Sequence, residues 1–271
     1  MIHIQHLEVT FAPGTPLEKS VFKDFSLTIP AGQFVTVIGS NGAGKSTLLN
    51  VLSGDVNPTN GLLNGQVMIA GQHVTQQTVP QRAKLVSRVF QNPLAGSCAE
   101  LTVEENLVLA QNRARRLGLR SATNAKGRRL FQDRLARLDL GLENRLSDRM
   151  GLLSGGQRQA VSLVMATLAP TQVLLLDEHT AALDPKTANY ILQLTASLVA
   201  EQALTALMVT HSMQQAISLG DRLLMLHEGK LALDIGGQEK TALSVSDLLT
   251  AFAKQGAQGT QDIADDALLL G

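Results

Sequence analysis

The sequence is poor in several residue types, and each scarcity narrows the class of protein. Its 271 residues include one cysteine, Cys98, so no disulfide can form within the chain and a reducing compartment fits. No apolar run approaches the ~20 residues that a membrane-spanning helix needs. The first residues do not combine a charged segment with an apolar run, as a secretory signal does. We therefore expect a cytoplasmic protein with no membrane span of its own.

The chain also lacks a net charge, because 23 lysines and arginines balance 23 aspartates and glutamates. Overall charge therefore gives no reason to expect nucleic-acid binding, which would require a local basic patch. Aromatic residues are few, with no tryptophan and a single tyrosine, Tyr190. Hydrophobic residues make up 44% of the chain, an ordinary value for a globular protein, and the length suffices for one large domain or two lobes.

Short apolar runs separated by helical patterns are the main structural signal in the sequence. They predict buried strands at residues 33–39, 172–178, 205–211 and 221–233. A mostly helical block extends from about residue 92 to 169. Strands that alternate with helices predict an α/β fold with a parallel sheet, and the inserted helical block predicts a second lobe.

A glycine-rich loop, "GSNGAGKS" at residues 39–46, lies between a predicted strand and a predicted helix. It matches G-x-x-x-x-G-K-[ST], a pattern in which backbone N–H groups approach phosphate oxygens and the helix N-terminus faces the same anion. We expect Lys45 to reach the β- and γ-phosphates of a nucleotide and Ser46 to coordinate Mg²⁺. The alternative is a chance glycine-rich turn. The predicted phosphate-binding residues are Gly39, Ser40, Asn41, Gly42, Ala43, Gly44, Lys45, Ser46 and Thr47.

Two adjacent carboxylates, Asp177 and Glu178, directly follow the apolar run of residues 173–176. Neighbouring carboxylates repel each other, and burying either one requires a compensating partner. Ligands of parallel sheets bind beyond the carboxyl ends of the strands, where the run before the phosphate loop also ends. We therefore expect Asp177 to bind Mg²⁺ and Glu178 to orient and deprotonate the attacking water. The alternative is a solvated acidic pair.

A second helix start that could bind an anion occurs at "LLSGGQRQ", residues 152–159. Ser154 can cap this helix, and Gly155 and Gly156 allow the backbone to approach an anion. The phosphate loop already serves one nucleotide, so a second anion site has no evident use within one chain. Taken alone, the segment would be an ordinary helix cap with a glycine turn.

Together, these motifs resemble the ATP-binding cassette (ABC) ATPase family. The resemblance rests on the phosphate loop, Gln91, "LSGGQ", "VLLLDE", "ALDP" and His211 in "MVTHS", whose order and spacing agree over about residues 1–235. The family implies an α/β fold of the P-loop NTPase (RecA-like) type. Its mostly parallel core sheet is accompanied by an N-terminal antiparallel β subdomain and an inserted helical subdomain.

The resemblance also sets the expected domain boundaries. The ABC ATPase domain would cover residues 1–235, with the core at 1–91 and 166–235 and the helical subdomain at about 92–165. A C-terminal appendix at residues 236–271 would follow, and its segment "QGAQGTQDIADDA" is expected to be loosely ordered.

A homodimer that forms head to tail on ATP binding is a further implication of the resemblance. Each ATP, with Mg²⁺, would lie between the phosphate loop of one chain and the signature of the other. The signature residues in this sequence are Ser154, Gly155, Gly156 and Gln157. The second helix start would thus serve the nucleotide of the partner chain.

The family's remaining roles fall on four residues. Gln91 would contact Mg²⁺ and the attacking water, and His211 would hydrogen-bond the γ-phosphate. Asp184 in "ALDP" would couple the two nucleotide sites across the interface, and Phe11 is our candidate for the ring that stacks on adenine. Each has a structural alternative: a surface glutamine, a structural histidine, a turn residue before proline and an ordinary core phenylalanine.

One departure from the family pattern directly follows the acidic pair. His179 stands where many members have proline. A histidine beside Glu178 could shift the pKa of that carboxyl, and the alternative is an exposed turn residue. The two acids themselves are intact, so hydrolysis is still expected.

A basic stretch at residues 113–137 holds nine arginines or lysines against one acid, Asp133. Three interpretations are open. The stretch could contact lipid headgroups or acidic loops of a membrane partner, it could bind nucleic acid, or it could be a solvated helical face.

The expected function is that of the ATP-hydrolysing subunit of a transporter. The sequence holds one cassette and no membrane span, so the permease subunits would be separate chains, and this chain would lie on the cytoplasmic side as a peripheral membrane protein. The helical lobe after Gln91 would grip a permease helix. The alternatives are a soluble cassette ATPase of translation or DNA repair, an exporter ATPase, and a small-molecule kinase, which would not explain "LSGGQ".

Within transporters, "VFQNPLAGS" and "LLLDEHTAALDPKT" are similar to a bacterial subgroup that works with a solute-binding lipoprotein. That subgroup is often labelled as amino-acid importers of the tryptophan/tyrosine kind. The expected partners are therefore the permease and, indirectly, a solute-binding protein, with no nucleic acid. No residue of this chain is expected to contact the transported solute.

Overall fold

The computed structural model describes residues 1–56, 62–113 and 125–254. The chain divides into two compact units, one formed by residues 1–82 with 203–271 and the other by residues 83–202. The division into an ABC core, a helical subdomain and an appendix, which we expect from sequence, stays a prediction.

Ten strands and nine α-helices occur in the described residues. In chain order, the strands are β1 Ile2–Phe11, β2 Lys19–Ile29, β3 Phe34–Gly39, β4 Leu62–Ile69, β5 Gln72–His73, β6 Val86–Val89, β7 Val173–Asp177, β8 Thr205–Val209, β9 Arg222–His227 and β10 Lys230–Gly236. The helices are α1 Lys45–Ser53, α2 Val79–Arg82, α3 Val103–Asn112, α4 Ala125–Ala136, α5 Gly155–Leu168, α6 Pro185–Glu201, α7 Met213–Ser218, α8 Gly237–Thr241 and α9 Val245–Lys254. Short 3₁₀ turns span Pro93–Gly96, Leu142–Asn144 and Met150–Leu152.

The first unit contains an antiparallel sheet in the order β2–β1–β4–β5. Strand β2 begins at Lys19, six residues before the apolar segment "FSLTI" that marks it in the sequence. Polar and apolar residues alternate along β2, so that one face is buried and the other meets solvent. The sheet is the N-terminal antiparallel element that the resemblance predicts.

A parallel arrangement forms the second layer of the first unit. Strand β3 lies parallel to β8 on one side and to β9 on the other, and β10 pairs antiparallel with β9. Every residue of β3 is buried, as expected for a central parallel strand that is covered on both faces. This burial explains why "FVTVIG" is apolar without alternation.

Part of the C-terminal appendix is folded onto the first unit. Leu248 and Phe252 of α9 are buried against Met213 and Ala216 of α7 and against Ile38 of β3. Helices α8 and α9 were not predicted from the sequence. The expectation of loose order at "QGAQGTQDIADDA" concerns residues that lie outside the described part of the chain.

The second unit packs helices against a pair of parallel strands, β6 and β7. Its apolar core joins α3, α4, α5 and α6 through buried side chains such as Leu107, Phe131, Val161 and Ile191. Helix α3 starts with a capping box in which Thr102 Oγ1 accepts from the Glu105 backbone N–H and the Glu105 carboxylate accepts from the Thr102 N–H.

These layers confirm the predicted fold class, an α/β protein with a mostly parallel core and an N-terminal antiparallel sheet. Within the residues that the structure describes, no helix is both long and apolar enough to span a bilayer.

Candidate active site

The phosphate loop in the first unit connects β3 to α1. Gly44 precedes the helix with φ of 108°, in the left-handed region, and a Cβ there would lie 2.9 Å from Cζ of Phe22. Lys45 is only 6% exposed, and its Nζ donates to the carbonyl oxygens of Gly39 at 2.6 Å and Ser40 at 3.1 Å. The ammonium group is therefore folded back over the loop, and no side chain caps the N-terminus of α1.

His211 lies at the same sheet edge as the phosphate loop. Strands β3 and β8 are parallel with Val37 opposite Val209, and the Thr210 N–H donates to the Val37 carbonyl at 3.2 Å. His211 follows Val209 by two residues, as Gly39 follows Val37, so the register brings the half-buried imidazole to the start of the loop. His211 therefore lies at the sheet edge where the phosphate loop begins, and its hydrogen bond to the γ-phosphate stays a prediction.

Phe11 ends β1 and pairs with Lys19 at the start of β2. The ring is half-buried, which leaves a face that could stack on a base. The Nζ atom of Lys19 lies 3.8 Å from the position that a Cβ on Gly42 would take. This lysine beside the loop was missed, because nothing in the local sequence places residue 19 near residue 42.

The acidic pair lies in the second unit, at the end of β7. Asp177 forms an ion pair with Arg88, whose Nη2 lies 2.5 Å from Asp177 Oδ2. Glu178 adopts φ of 44°, an uncommon conformation for a residue other than glycine, asparagine or aspartate. Backbone conformations of this kind often occur at functional sites, where the surrounding structure maintains them. Arg88 was missed because it precedes Asp177 by 89 residues.

His179 is buried rather than exposed, with 2% of its surface accessible. Thr195 Oγ1 donates its hydrogen to the Ile191 carbonyl at 2.7 Å, so its oxygen accepts from Nε2–H of His179 at 3.1 Å. Burial lowers the pKa of His179 to about 4, and the imidazole is neutral at pH 7. The exposed-turn interpretation was wrong, and the ring brings no positive charge to Glu178.

Gln91 is an exposed residue that follows β6 and Phe90. The Phe90 carbonyl accepts from Nε2 of the buried Gln159 at 3.4 Å, and the Arg88 guanidinium lies 4.8 Å from the centre of the Phe90 ring. Asn92 caps the following 3₁₀ turn through its side chain. Gln91 therefore sits between two anchored neighbours while its own side chain reaches solvent.

Ser154 caps helix α5, as the sequence predicts. Its Oγ accepts from the Gln157 N–H at 3.2 Å, and Gln157 Oε1 accepts from the Ser154 N–H at 3.1 Å. A Cβ on Gly156 would overlap the methyl group of Thr187 on α6, so a larger residue here would force the Thr187 side chain to move. The backbone N–H groups of Gly155 and Gly156 belong to the first turn and have no partner within the helix.

Asp184 caps helix α6, which begins at Pro185. Its Oδ1 accepts from the Thr187 N–H at 3.1 Å, and hydrogen bonds to Thr187 hold the pKa of the carboxyl below its usual value. The side chain is exposed. The structure thus adds a capping role, and the predicted interfacial role of Asp184 stays a prediction.

The basic stretch is partly committed to structural contacts. Arg113 donates to the Met165, Ala166 and Ala169 carbonyls at the end of α5, at 2.9–3.1 Å. Within α4, Arg128 forms an ion pair with the carboxylate of Glu104 on α3. Residues 114–124 of the stretch lie outside the described residues. Arg113 is therefore not part of a solvated or ligand-binding face, whereas Arg129 and Arg137 are exposed, as the interpretation as a solvated face expects.

A buried strand, a glycine loop, and a helix that starts with a lysine form the phosphate-binding unit of P-loop nucleotide-hydrolysing proteins. All three of these elements lie in the first unit, so the first unit alone places the protein in this class. The second unit adds an acidic strand end and a capped glycine helix start.

Comparison with known proteins narrows the class. Residues 22–181 match a family described as "ABC transporter". A tyrosine transport ATP-binding protein of Clostridioides difficile (strain R20291) is 43% identical over 252 residues, which cover 93% of this chain and 98% of that protein. The thiamine import ATP-binding protein ThiQ of Escherichia coli (strain UTI89 / UPEC) is 35% identical over 235 residues, covering 87% and 93%.

A solved dimeric structure of MJ0796, a bacterial ABC transporter cassette, matches with a TM-score of 0.74 at 27% identity, covering 87% of this chain and 98% of that one. A second structure of the same cassette, in a post-hydrolysis state bound to ADP and Pi, gives a TM-score of 0.73. The chain belongs to the ABC transporter family, as an ATPase that converts ATP and water to ADP and phosphate.

Proposed function

We propose that the chain powers the import of an aromatic amino acid through separate membrane permease subunits, which it engages from the cytoplasmic face. The direction is supported by relatives named for the import of thiamine and of aliphatic sulfonates. The class of solute is supported by the tyrosine transport protein at 43% identity. A solute-binding protein would deliver the amino acid to the permease.

The observation that carries the ATPase part is the position of Lys45. Its ammonium donates to two carbonyl oxygens of its own loop, at 2.6 and 3.1 Å. Phosphate oxygens that enter the loop can replace or join these acceptors with little movement of the side chain. The remaining loop residues from Gly39 to Thr47 would bind phosphate mainly through backbone N–H groups.

The proposed metal ligands fit magnesium in their chemistry. They are the Ser46 hydroxyl, the Gln91 amide oxygen and the Asp177 carboxylate, all oxygen donors. One carboxylate with neutral oxygens is the usual protein contribution when nucleotide phosphates supply further ligands. Bound Mg²⁺ would neutralise phosphate charge during transfer.

We assign proton abstraction to Glu178. Its carboxylate would accept the proton of the attacking water, a role that typically contributes about 10²–10⁴-fold in rate. His211 would hydrogen-bond the γ-phosphate, and Phe11 would stack on the adenine ring. The αL backbone of Glu178 fixes the direction in which its side chain leaves β7.

The second helix start would serve the nucleotide bound to a partner copy. Ser154 Oγ uses a lone pair in the helix cap, so its hydroxyl hydrogen can still donate to a phosphate oxygen. Gly155 and Gly156 would add backbone N–H donors, Gln157 would add its side-chain amide Nε2–H, and α5 would add its positive end. The dimeric form of the solved relative supports this assembly, and Asp184 would lie at the same interface.

The test compares Glu178→Gln and Lys45→Ala in the transporter reconstituted into proteoliposomes with its permease and binding protein. Glu178→Gln should bind ATP with wild-type affinity, accumulate as a dimer with Mg-ATP, and lose at least ~100-fold in ATPase rate and in tyrosine uptake. Lys45→Ala should lose ATP binding in calorimetry.

Each result has a distinct meaning. Full turnover by Glu178→Gln would remove this residue from its catalytic role, and unchanged ATP affinity of Lys45→Ala would refute the phosphate-loop assignment. ATP-dependent uptake of another solute, with none of tyrosine, tryptophan or phenylalanine, would refute the proposed cargo and leave the ATPase intact.

A further inference from the structure

Arg88 is a basic side chain that forms an ion pair with Asp177 at the end of β7. Strands β6 and β7 are parallel, with Arg88 opposite Leu175. Asp177 lies two residues beyond Leu175 and therefore on the same face of the strand. The register thus places the guanidinium beside the carboxylate.

The ion pair is largely withdrawn from solvent. The side chains of Arg88 and Asp177 are 12% and 17% exposed, and the guanidinium nitrogen lies 2.5 Å from the carboxylate oxygen. Charge-assisted hydrogen bonds of this length are strong, and little water is present to screen them. The guanidinium therefore already supplies a positive charge beside the carboxylate.

Phe90 fixes the other side of the guanidinium, which lies 4.8 Å from the ring centre. The carbonyl of Phe90 is in turn held by Gln159. Arg88 is thus held between a carboxylate and an aromatic ring, three residues before Gln91. Movement of Arg88 away from Asp177 would require this packing to change.

We propose that Arg88 is the resident counter-charge of Asp177 and makes divalent-metal binding at this carboxylate depend on nucleotide phosphates. A bare divalent ion at Asp177 would meet the guanidinium charge at short range. Repulsion between a double and a single positive charge at about 5 Å weakens binding by roughly tenfold even in water. Phosphate groups bring negative charge that offsets this repulsion, so the metal binds together with the nucleotide.

This inference rests on the proposed role of Asp177 as a metal ligand. Arg88 acts on that ligand and is a positioning residue, which does not itself contact the reacting atoms. The consequence for function is that the nucleotide-free ATPase keeps the Asp177 carboxylate oriented without capturing free metal.

The test uses Mn²⁺ as a paramagnetic substitute for Mg²⁺, with electron paramagnetic resonance reporting free and bound ion. Arg88→Met removes the charge and keeps an apolar body against Phe90, and Arg88→Gln is a second neutral variant that can still hydrogen-bond Asp177. Both should bind Mn²⁺ about tenfold more tightly than wild type without nucleotide. With a non-hydrolysable ATP analogue bound, the difference in Mn²⁺ affinity between the neutral variants and the wild type should be smaller.

Three controls separate the possible causes. Arg88→Lys keeps the charge and should restore wild-type Mn²⁺ affinity. Asp177→Asn combined with Arg88→Met should abolish the gain in Mn²⁺ affinity that Arg88→Met shows alone. Arg222→Met breaks another arginine–aspartate pair, with Asp234 at 2.6 Å, and should leave Mn²⁺ affinity unchanged, which excludes a general effect of releasing an aspartate.

Equal Mn²⁺ affinity of wild type and the neutral variants would overturn the inference. If Asp177→Asn alone still weakened Mn²⁺ binding in the presence of the ATP analogue, the metal role of Asp177 would survive that failure. If it did not, the metal assignment itself would be refuted. Should neither neutral variant fold, the wild-type protein decides, because tight Mn²⁺ binding at Asp177 without nucleotide contradicts the inference.

Discussion

The buried His179 should make the stability of the protein fall in mild acid. In the folded chain its pKa is lowered to about 4 by burial, from an ordinary value of 6.5. The unfolded chain therefore takes up the proton first as the pH falls, and stability is lost between these two values. Above pH 6.5, both states carry a neutral imidazole and the effect vanishes.

The magnitude follows from the two pKa values. At pH 5, the unfolded imidazole is mostly protonated and the folded one is mostly neutral, so His179 costs about 2 kcal/mol of unfolding free energy relative to pH 8. Below pH 4 the loss reaches its limit of about 3 kcal/mol. His179→Gln removes the titration, and its amide can still donate to Thr195.

The assay is urea denaturation at pH 8 and pH 5, in the presence of a metal chelator. Far-UV circular dichroism is the suitable probe because the chain has no tryptophan. The wild type should lose about 2 kcal/mol more than His179→Gln between the two pH values. His73 is exposed, so His73→Gln should behave as the wild type. Equal losses in wild type and His179→Gln would refute a buried, neutral imidazole.

Two further predictions concern packing. Gly229 has φ of 72°, and a Cβ there would overlap the Val21 carbonyl. Gly141 has a similar φ of 67° but open space around it, so Gly141→Ala should lower the unfolding free energy only by the ~1 kcal/mol of left-handed strain, and Gly229→Ala should lower it by more. Equal losses of the two variants in urea denaturation would contradict the overlap. Arg113→Met leaves the carbonyls at the end of α5 without their donor and should cost about 3 kcal/mol in the same assay, whereas the exposed Arg129→Met should change stability by less than about 0.5 kcal/mol.

Features that depend on neighbours in sequence were predictable. The cap at Ser154 and the helix that follows it are set within four residues, and the structure confirms both. The apolar runs of β3, β7 and β8 likewise predict buried strands, because strands that are covered on both faces consist mostly of apolar residues. Helix α9 could have been found from the spacing of Val245, Leu248 and Phe252 along one helical face.

Contacts between distant parts of the chain were not predictable from one sequence. Asp177 pairs with Arg88 only because β6 and β7 lie side by side in one register. His179 is neutral because the fold buries its ring, which contacts Thr195 in the middle of α6. In both cases the residue type was visible in the sequence, but its surroundings are supplied only by the fold.

The sequence also does not show which basic side chains are withdrawn from solvent by contacts with distant parts of the chain. Three basic side chains, the buried Arg82 and Lys240 and the half-buried Arg113, donate to backbone carbonyls at or just beyond the C-terminal ends of α1, α5 and α7. None of these helices has a basic residue in its own last turn, so the distant cation satisfies carbonyls that would otherwise lack donors. Burial lowers the pKa of Lys240 to about 8 and of Arg82 to about 10, so these charges are held at a cost in solvation. A basic residue in this sequence is therefore not by itself a surface charge, and any anion-binding role of the stretch at 113–137 must exclude Arg113.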